Sequence, residues 1–191
     1  MSNEDFFGQS TPSEPAQHCM IDIETLSTRP NAAVLSIGAV LFDFKNLTIG
    51  DLFIQSIDME QAVGHVDLGT VKWWMKQSDD ARRDASSGKF SPTQVLTALA
   101  EWIEAEMVEK KSRCMWGNGA SFDLVILESQ YRAVGIDTPW DFWGHRCYRT
   151  IKSLYPNVEA DPRRGTHHNA LDDAIFQVEH LFKIRRTLRG N

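Results

Sequence analysis

The chain has 191 residues, a length typical of one compact domain, and its 20 basic and 26 acidic side chains give a formal net charge of −6. Hydrophobic content of 42% and charged content of 24% exclude intrinsic disorder over most of the chain, and no apolar run approaches the roughly 18 residues of a membrane span. The negative charge argues against a protein that coats nucleic acid by charge alone, but it leaves open an enzyme whose carboxylates bind metal.

The cysteine content predicts free thiols. The three cysteines, Cys19, Cys114 and Cys147, are odd in number and far apart in the sequence. Disulfide frameworks need paired cysteines in an oxidising environment, whereas scattered single thiols are typical of a reducing compartment. We therefore expect a cytoplasmic protein without disulfides.

The first 17 residues differ from the rest of the chain. They are polar, with only Phe6 and Phe7 as sizeable apolar groups, and no basic segment precedes an apolar core as in a secretory signal. We expect residues 1–17 to form a flexible arm, with a docking motif at the two phenylalanines as the alternative. Residues 18–191 are then expected to form a single domain.

Three strands are predicted near the start of this domain. Residues 19–24 alternate, so that Asp22 and Glu24 share one face of a strand and isoleucines occupy the other. Residues 33–42 are apolar and β-branched enough for a second strand, and residues 52–57 alternate again as a third. A turn at Lys45-Asn46 would allow the second and third strands to pair.

The remaining sequence alternates between helices and strands. Ser91 and Pro92 open the clearest helix, because Ser is a favoured N-cap, Pro suits the first helical position and Gln94 completes a capping box. Further helices are predicted at 70–76, 79–85, 124–134 and 169–186, and a short strand at 113–116. This order predicts an α/β fold with a mixed sheet.

Asp22 and Glu24 are the first candidates for a functional site. Two carboxylates on one face of a buried strand repel each other and lose hydration, and a divalent metal is the simplest way to compensate them. The alternative is an edge strand with a solvated face, on which Asp and Glu are ordinary residues.

Asp123 is the second candidate, after Asn118 at the turn that follows the strand at 113–116. An acidic side chain at a helix start can simply cap free N–H groups. The turn from strand to helix at the carboxyl end of a sheet is also where α/β folds build ligand sites, so both interpretations remain open.

The third candidate is the segment from His167 to Asp173. His168 precedes the last helix, and helical periodicity places both Asp172 and Asp173 off the apolar stripe, so it does not choose between them. Adjacent histidines rarely bind one metal, and no Cys or His lies at zinc spacing, which argues against a zinc site. A capped, solvent-facing helix start is the alternative.

The three segments together resemble a known family. Asp22-x-Glu24, Asp123 and His168-x-Ala170-x-x-Asp173 resemble the DEDD exonucleases of the DnaQ-like, ribonuclease H-like superfamily, in the DEDDh branch. The resemblance covers about residues 20–182. It implies a ribonuclease H-like fold, with three antiparallel N-terminal strands joined to parallel strands and flanked by helices. It also selects Asp173 over Asp172 and His168 over His167.

Shorter matches narrow the resemblance to a subgroup of phage-type 3′–5′ exonucleases and small bacterial exoribonucleases. They comprise Asp22-Ile-Glu24-Thr25-Leu26-Ser27, Ile37-Gly38-Ala39-Val40, and Val71-Lys72-Trp73-Trp74 with Gln77 and Ala81. Many proofreading members carry Thr-Gly after the second acid, where this chain has Thr25-Leu26. That difference argues against a polymerase-associated proofreader.

The resemblance implies metal-dependent hydrolysis of phosphodiester bonds. Two Mg²⁺ or Mn²⁺ ions, roughly 3.5–4 Å apart, would activate water and stabilise the departing 3′-oxygen, and hard oxygen ligands suit these ions. The implied metal ligands are Asp22, Glu24, Asp123 and Asp173. His168 would be the general base, since an unperturbed histidine titrates near working pH.

The implied substrate is single-stranded nucleic acid or a 3′ overhang, held by the segment after the second acid. The expected contacts are Thr25, Leu26, Trp74, Asn118 and Arg149, although adjacent helical residues cannot both face one way and Trp73 is the alternative to Trp74. Basic residues flank the His168 segment as candidate phosphate contacts: Arg146, Arg149, Lys152, Arg163 and Arg164.

The phage-like matches favour DNA as the expected substrate. An exoribonuclease acting on RNA 3′ overhangs is the main alternative, since no residue in the sequence indicates whether the site recognises a 2′-hydroxyl. A member that binds nucleic acid without cutting and a phosphoesterase for small nucleotides are further alternatives. Several relatives pair, so a homodimer also remains open.

Overall fold

The computed structural model describes residues 18–119 and 121–189; the predicted arm at 1–17 lies outside the described residues. The strands are β1 (His18–Thr25), β2 (Val34–Asp43), β3 (Thr48–Ser56), β4 (Cys114–Gly117) and β5 (His145–Cys147). The helices are α1 (Leu68–Trp74), α2 (Asp79–Ser86), α3 (Pro92–Glu106), α4 (Asp123–Val134), α5 (Tyr148–Leu154) and α6 (Ala170–Arg189).

The strands form one mixed sheet in the order β3-β2-β1-β4-β5. The first three strands are antiparallel neighbours, while β4 pairs in parallel with both β1 and β5. The predicted fold class is therefore confirmed. It places β1 at the centre of the sheet, with its carboxyl end beside that of β4.

Helices cover both faces of the sheet. Ile21 and Ile23 point into a core shared with α3 and α4, whereas Met20 points into a second core against α6. A smaller cluster joins Leu26 and Trp74, so α1 and α2 pack beside the end of β1. The face that carries Met20 is also the face that carries the two acidic residues of β1.

Of these strands and α-helices, β5 and α5 were not predicted from the sequence. β5 has three residues and α5 has seven, and elements this short do not show a recognisable side-chain period. β3 begins four residues before its predicted start, and α6 extends to Arg189. The cysteines are free thiols, as expected. Within the described residues, no helix combines the length and apolar character that crossing a bilayer would require.

Candidate active site

Asp22 and Glu24 lie on the central strand, which excludes the interpretation of a solvated edge. Glu24 is 7% exposed, and Asp22 is half-buried. The register between β1 and β2 shifts between Glu24 and Thr25, so a bulge follows the second acid. Bulges of this kind redirect side chains near functional sites.

Asp123 joins these acids from the first turn of α4. It is almost fully buried, and its Oδ2 accepts a hydrogen bond of 2.7 Å from the backbone N–H of Asn118. This bond ties Asp123 to the turn after β4, at the carboxyl end of the parallel strands. The side chain therefore faces into the protein and does not act as a solvent-exposed cap.

Asp173 reaches the same place from the first turn of α6, and Asp172 does not. One carboxylate oxygen each from Asp22, Glu24 and Asp173 lies within 4.8 Å of the others. Asp172 instead accepts a hydrogen bond of 2.7 Å from the backbone N–H of Thr166 and holds the preceding loop. Asp123 is outside the group of three but lines the same cleft.

This carboxylate cleft, about 270 Å³ in volume, brings together residues from five segments of the chain. Its lining includes Asp22, Glu24, Asn118, Asp123, Arg149, Lys152, Arg163, His167, His168, Asp173 and Gln177. All four implied metal ligands, the implied base and two implied substrate contacts, Asn118 and Arg149, therefore share one cavity.

Three acids of the carboxylate cleft, Asp22, Glu24 and Asp123, have pKa values above their ordinary range. Burial and the charge of Asp123 raise the pKa of Glu24 to about 8, and burial raises the pKa of Asp123 to about 6. Burial, then the charges of Asp123 and Glu24, raise the pKa of Asp22 well above its ordinary value. Without a cation nearby, crowded carboxylates are difficult to ionise. A hard divalent cation stabilises their ionised form through the oxygen atoms, so these residues fit such an ion.

His168 is held in a constrained conformation beside the acids. Its φ of 66° lies in the left-handed region, which non-glycine residues rarely adopt, and its ring packs edge-on against Trp73 with centroids 4.7 Å apart. Burial, followed by the nearby charges of His167 and Arg163, lowers the pKa of His168 to about 4. The imidazole is therefore neutral at pH 7 and able to accept a proton.

His167 and His168 also come close enough to Asp173 to suggest a metal site, with ligand atoms within 4.8 Å. Their rings, however, stack at 3.8 Å with an interplanar angle of 25°. Nitrogen lone pairs lie in the ring plane, so nearly parallel rings direct them side by side and not towards a common point. The oxygen set of Asp22, Glu24 and Asp173 is the better candidate.

The segment after Glu24 is fixed through its backbone. The carbonyl of Thr25 accepts a hydrogen bond of 2.8 Å from the indole N–H of Trp74, and the N–H of Leu26 donates to Ala33. Trp74 is 7% exposed, whereas Trp73 is 41% exposed. Trp74 thus lies beneath the segment, and Trp73 presents part of its ring to solvent.

A second cavity, which we call the Trp73 pocket, opens on the other side of Glu24. It has a volume of about 420 Å³. Its lining includes Glu24, Thr25, Asp67, Thr70, Trp73 and Phe122. Leu26, an expected substrate contact, is buried with Trp74 and is not among the residues that line this pocket.

Residues 17–184 match the family described as the Rv2179c-like 3′-5′ exoribonuclease domain. The chain belongs to this family. The match spans all four acids and His168, and it identifies the protein as an enzyme, a 3′–5′ exonuclease. The resemblance inferred from the three motifs is confirmed.

Other proteins are similar to this chain in sequence or in structure. The exodeoxyribonuclease of enterobacteria phage T4 is 26% identical over an alignment of 156 residues, and the match covers 69% of this chain and 68% of the phage protein. The structure of the nuclease domain of 3′hExo, a DEDDh family member bound to rAMP, has a TM-score of 0.64 at 17% identity, covering 93% of this chain and 94% of that one.

A zinc-bound complex of Escherichia coli ExoI with single-stranded DNA has a TM-score of 0.58 at 13% identity. It matches 93% of this chain and 42% of that chain. At such low identity the solved structures support the ribonuclease H-like fold alone. The fold places their chains and this Rv2179c-like domain in one structural class.

Two residues of the carboxylate cleft were not predicted as partners of the acids. Gln177 donates a hydrogen bond of 2.6 Å from Nε2 to Oδ1 of Asp22, and Arg163 forms an ion pair with Asp173. Gln177 lies four residues after Asp173, on the same helix face, and this spacing was a usable signal. Arg163 lies in an irregular loop, where no period reveals the direction of a side chain.

Proposed function

We propose that the carboxylate cleft binds two divalent metal ions, Mg²⁺ or Mn²⁺, through Asp22, Glu24, Asp123 and Asp173. The support is the convergence of buried carboxylates from β1, α4 and α6 on one cavity. The pKa values of Asp22, Glu24 and Asp123 are raised, and an adjacent cation would lower them. The donors are oxygens, which favours Mg²⁺ or Mn²⁺ over zinc. Bound ions would supply the charge that favours a hydroxide nucleophile and a departing 3′-oxygen.

His168 is the proposed general base. Its ring faces the carboxylate cleft, it is neutral at pH 7, and its position is restricted by Trp73 on one side and His167 on the other. A ring nitrogen of His168 takes the proton of the attacking water, and the ring then carries the charge that its surroundings disfavour. The proton is therefore released readily after each turnover.

The Trp73 pocket is the proposed site for the 3′-terminal nucleoside. It adjoins the acids through Glu24, and it is lined by hydroxyls and by two aromatic rings, Trp73 and Phe122. Rings that present a face or an edge to a base stabilise it by stacking. We assign the aromatic contact to Trp73. Trp74, the residue expected to make it, instead supports the carbonyl of Thr25.

Single-stranded RNA is the proposed preferred substrate, with DNA as the second candidate. The family that matches 17–184 is described as an exoribonuclease, whereas the phage relative, at 26% identity, is described as an exodeoxyribonuclease. The broader match outweighs the phage-like motifs that had favoured DNA. Thr70 in the Trp73 pocket offers a hydroxyl for a 2′-hydroxyl, and the hydroxyl of Thr25, which donates to the carbonyl of Ser27, can accept from one.

Three organisational expectations remain proposals. Residues 18–191 are proposed to form one domain, and the free cysteines support a reducing, cytoplasmic setting. A homodimer is proposed through β3, which forms one edge of the sheet and exposes Ile49, Leu52 and Ile54. Sedimentation equilibrium tests the homodimer: a mass near 22 kDa, that of one chain, would show that the dimer does not form.

The decisive experiment uses a 5′-labelled strand of RNA and the matching DNA, each with Mg²⁺, Mn²⁺ or chelator. We expect a ladder of products shortened from the 3′ end with metal and none with chelator. Asp173→Asn should abolish the ladder and weaken Mn²⁺ binding measured by calorimetry. Asp172→Asn, its matched neighbour, should retain metal binding because Asp172 lies outside the group of three acids.

A further inference from the structure

A third cavity lies along α5, and neither the proposed metal site nor the Trp73 pocket uses it. It has a volume of about 680 Å³, larger than either. We call it the α5 groove. Its lining includes Arg149, Lys152, Ser153, Tyr155, Val158 and His180.

The α5 groove is continuous with the carboxylate cleft. Asn118, Arg149 and Lys152 line both cavities, so a chain that leaves the cleft on this side enters the groove directly. The Trp73 pocket meets the cleft elsewhere, sharing Glu24 and Phe122 with it. The three cavities thus form a series, with the acids in the middle.

The charges at the two ends of this series differ. Arg149 and Lys152 are exposed, and within 18–119 and 121–189 neither forms an ion pair. The lining of the α5 groove contains these two cations and one acid, Glu159. The lining of the Trp73 pocket contains no Lys or Arg, but it contains Glu24 and Asp67.

That difference distinguishes the two directions of a polynucleotide. A 3′-terminal nucleoside contributes no phosphate beyond the one being cut, so an uncharged or acidic pocket can hold it. The strand on the 5′ side carries one phosphate for every nucleotide and requires cations along its path. The Trp73 pocket suits the terminal nucleoside, and the α5 groove suits the continuing strand.

The far wall of the α5 groove is rigidly attached to the fold. Nε2 of His180 lies 2.7 Å from the carbonyl oxygen of Val158, and Nδ1 lies 2.7 Å from the hydroxyl of Tyr148. Because a carbonyl only accepts, Nε2 carries the proton and Tyr148 donates to Nδ1. This relay connects α6, α5 and the loop at 155–160, and Tyr148 also lines the carboxylate cleft.

We infer that the α5 groove binds the nucleotides on the 5′ side of the scissile phosphate, with Arg149 and Lys152 contacting their phosphates. This inference rests on the proposed exonuclease site, and it adds a preference for length. A dinucleotide has a single phosphodiester, which the cleft holds, so it places no phosphate in the groove. A hexanucleotide occupies both.

The test compares kcat/KM for a dinucleotide and a hexanucleotide of RNA. We expect an advantage of about tenfold or more for the hexamer. Lys152→Ala should make the dependence of log kcat/KM on log salt shallower by about 0.7 for the hexamer, the value for one phosphate contact in a single strand. The hexamer with Lys111→Ala, which removes a charge at the opposite end of β4, should keep the native salt dependence.

A second pair of variants tests the groove without changing charge. Ser153→Trp places a large ring in the α5 groove from an exposed position, and it should remove the advantage of the hexamer while sparing the dinucleotide. Thr150→Trp, on the same helix but outside the lining, should leave the advantage intact. Equal loss for both substrates, or loss with Thr150→Trp, would overturn the inference.

The native protein separates the two proposals. Cleavage of all lengths with equal kcat/KM overturns the role of the α5 groove and leaves the exonuclease site in place. Failure to cleave any length with Mg²⁺ or Mn²⁺ overturns the exonuclease site and the inference that rests on it.

Discussion

Gly38 and Ala170 touch through their backbones: a Cβ placed on Gly38 would lie 2.2 Å from the carbonyl carbon of Ala170. Gly38 is also the residue paired with Asp22 across β1 and β2. The missing side chain therefore lets the first turn of α6 lie directly on the sheet, next to the first acid. Asp173 follows three residues after Ala170.

Gly38→Ala should accordingly separate α6 from the sheet. We expect a loss of about 1–3 kcal/mol in the free energy of unfolding, since the obstructing atoms are backbone and cannot rotate away. Activity should fall further, by roughly 100-fold, because Asp173 shifts relative to Asp22. Urea denaturation and the ladder assay measure the two effects. Gly50→Ala is the control, because its Cβ would come no closer than 3.3 Å to its nearest neighbour, Leu41.

The metal-free protein should lose stability as pH rises from about 5 to 8. The folded-state pKa of Glu24 is about 8 against an ordinary 4.5, so the unfolded chain releases this proton first and is favoured over that interval. One such group lowers the free energy of unfolding by about 1.4 kcal/mol per pH unit. Chemical denaturation across this pH range should show the slope.

Glu24→Gln should reduce that slope by the contribution of one group, and Mn²⁺ should reverse the loss in the native protein. A variant whose slope equals that of the native protein would show that Glu24 is ionised in the metal-free fold, contrary to this expectation.

Asp84 is predicted to position His168 through Asn169. The side-chain amide of Asn169 donates a hydrogen bond of 2.9 Å to Asp84 on α2, while its oxygen accepts from the first turn of α6. Asp84→Ala should lower kcat by about 10- to 100-fold with little change in KM, since the base is displaced but the nucleoside pocket is intact.

Asp84→Asn retains an acceptor oxygen and should restore most of kcat. Asp80→Ala, on the same helix but in an exposed pair with Arg83, should behave as the native protein does. A parallel loss of kcat in all three variants would indicate damage to α2 and not the loss of a positioning contact.

Trp73 and Trp74 should respond differently to removal. Trp73→Ala should weaken substrate binding by roughly 1–3 kcal/mol with little effect on stability, because a half-exposed stacking ring is lost. Trp74→Ala should lower the free energy of unfolding by about 3–5 kcal/mol, because a buried indole and its bond to Thr25 are lost. Fluorescence titration and thermal melts distinguish them, and reversed effects would exchange the two roles.

The central strand and its acids could be predicted from the sequence because the two faces of β1 differ, with isoleucines on one and acids on the other, which gives a period of two. Asp22 and Glu24 are then placed on one face by geometry alone. The choice of Asp173 over Asp172 came only from the resemblance, since both lie off the apolar stripe of α6. The loop bond from Thr166 to Asp172, which explains the difference, is a tertiary contact.

Other features of the site depend on contacts that no local pattern encodes. Trp73 and Trp74 are chemically alike, and tertiary contacts, the bond to the Thr25 carbonyl and the packing against Leu26, decide that Trp74 is the buried one. The pairing of Arg163 with Asp173 depends on the path of an irregular loop. α5, which supplies Arg149 and Lys152, is too short for its period to be recognised.

The hydrogen bond between Asp22 and Gln177 joins residues 155 positions apart, and Asp173 reaches the acids of β1 from nearly as far along the chain. The proposed active site is consequently complete only when α6 has been synthesised and has packed against the sheet. A polypeptide still emerging from the ribosome, or one truncated before α6, carries the first two acids without their partners. An enzyme that degrades nucleic acid would thus remain inert beside the messenger RNA from which it is being translated.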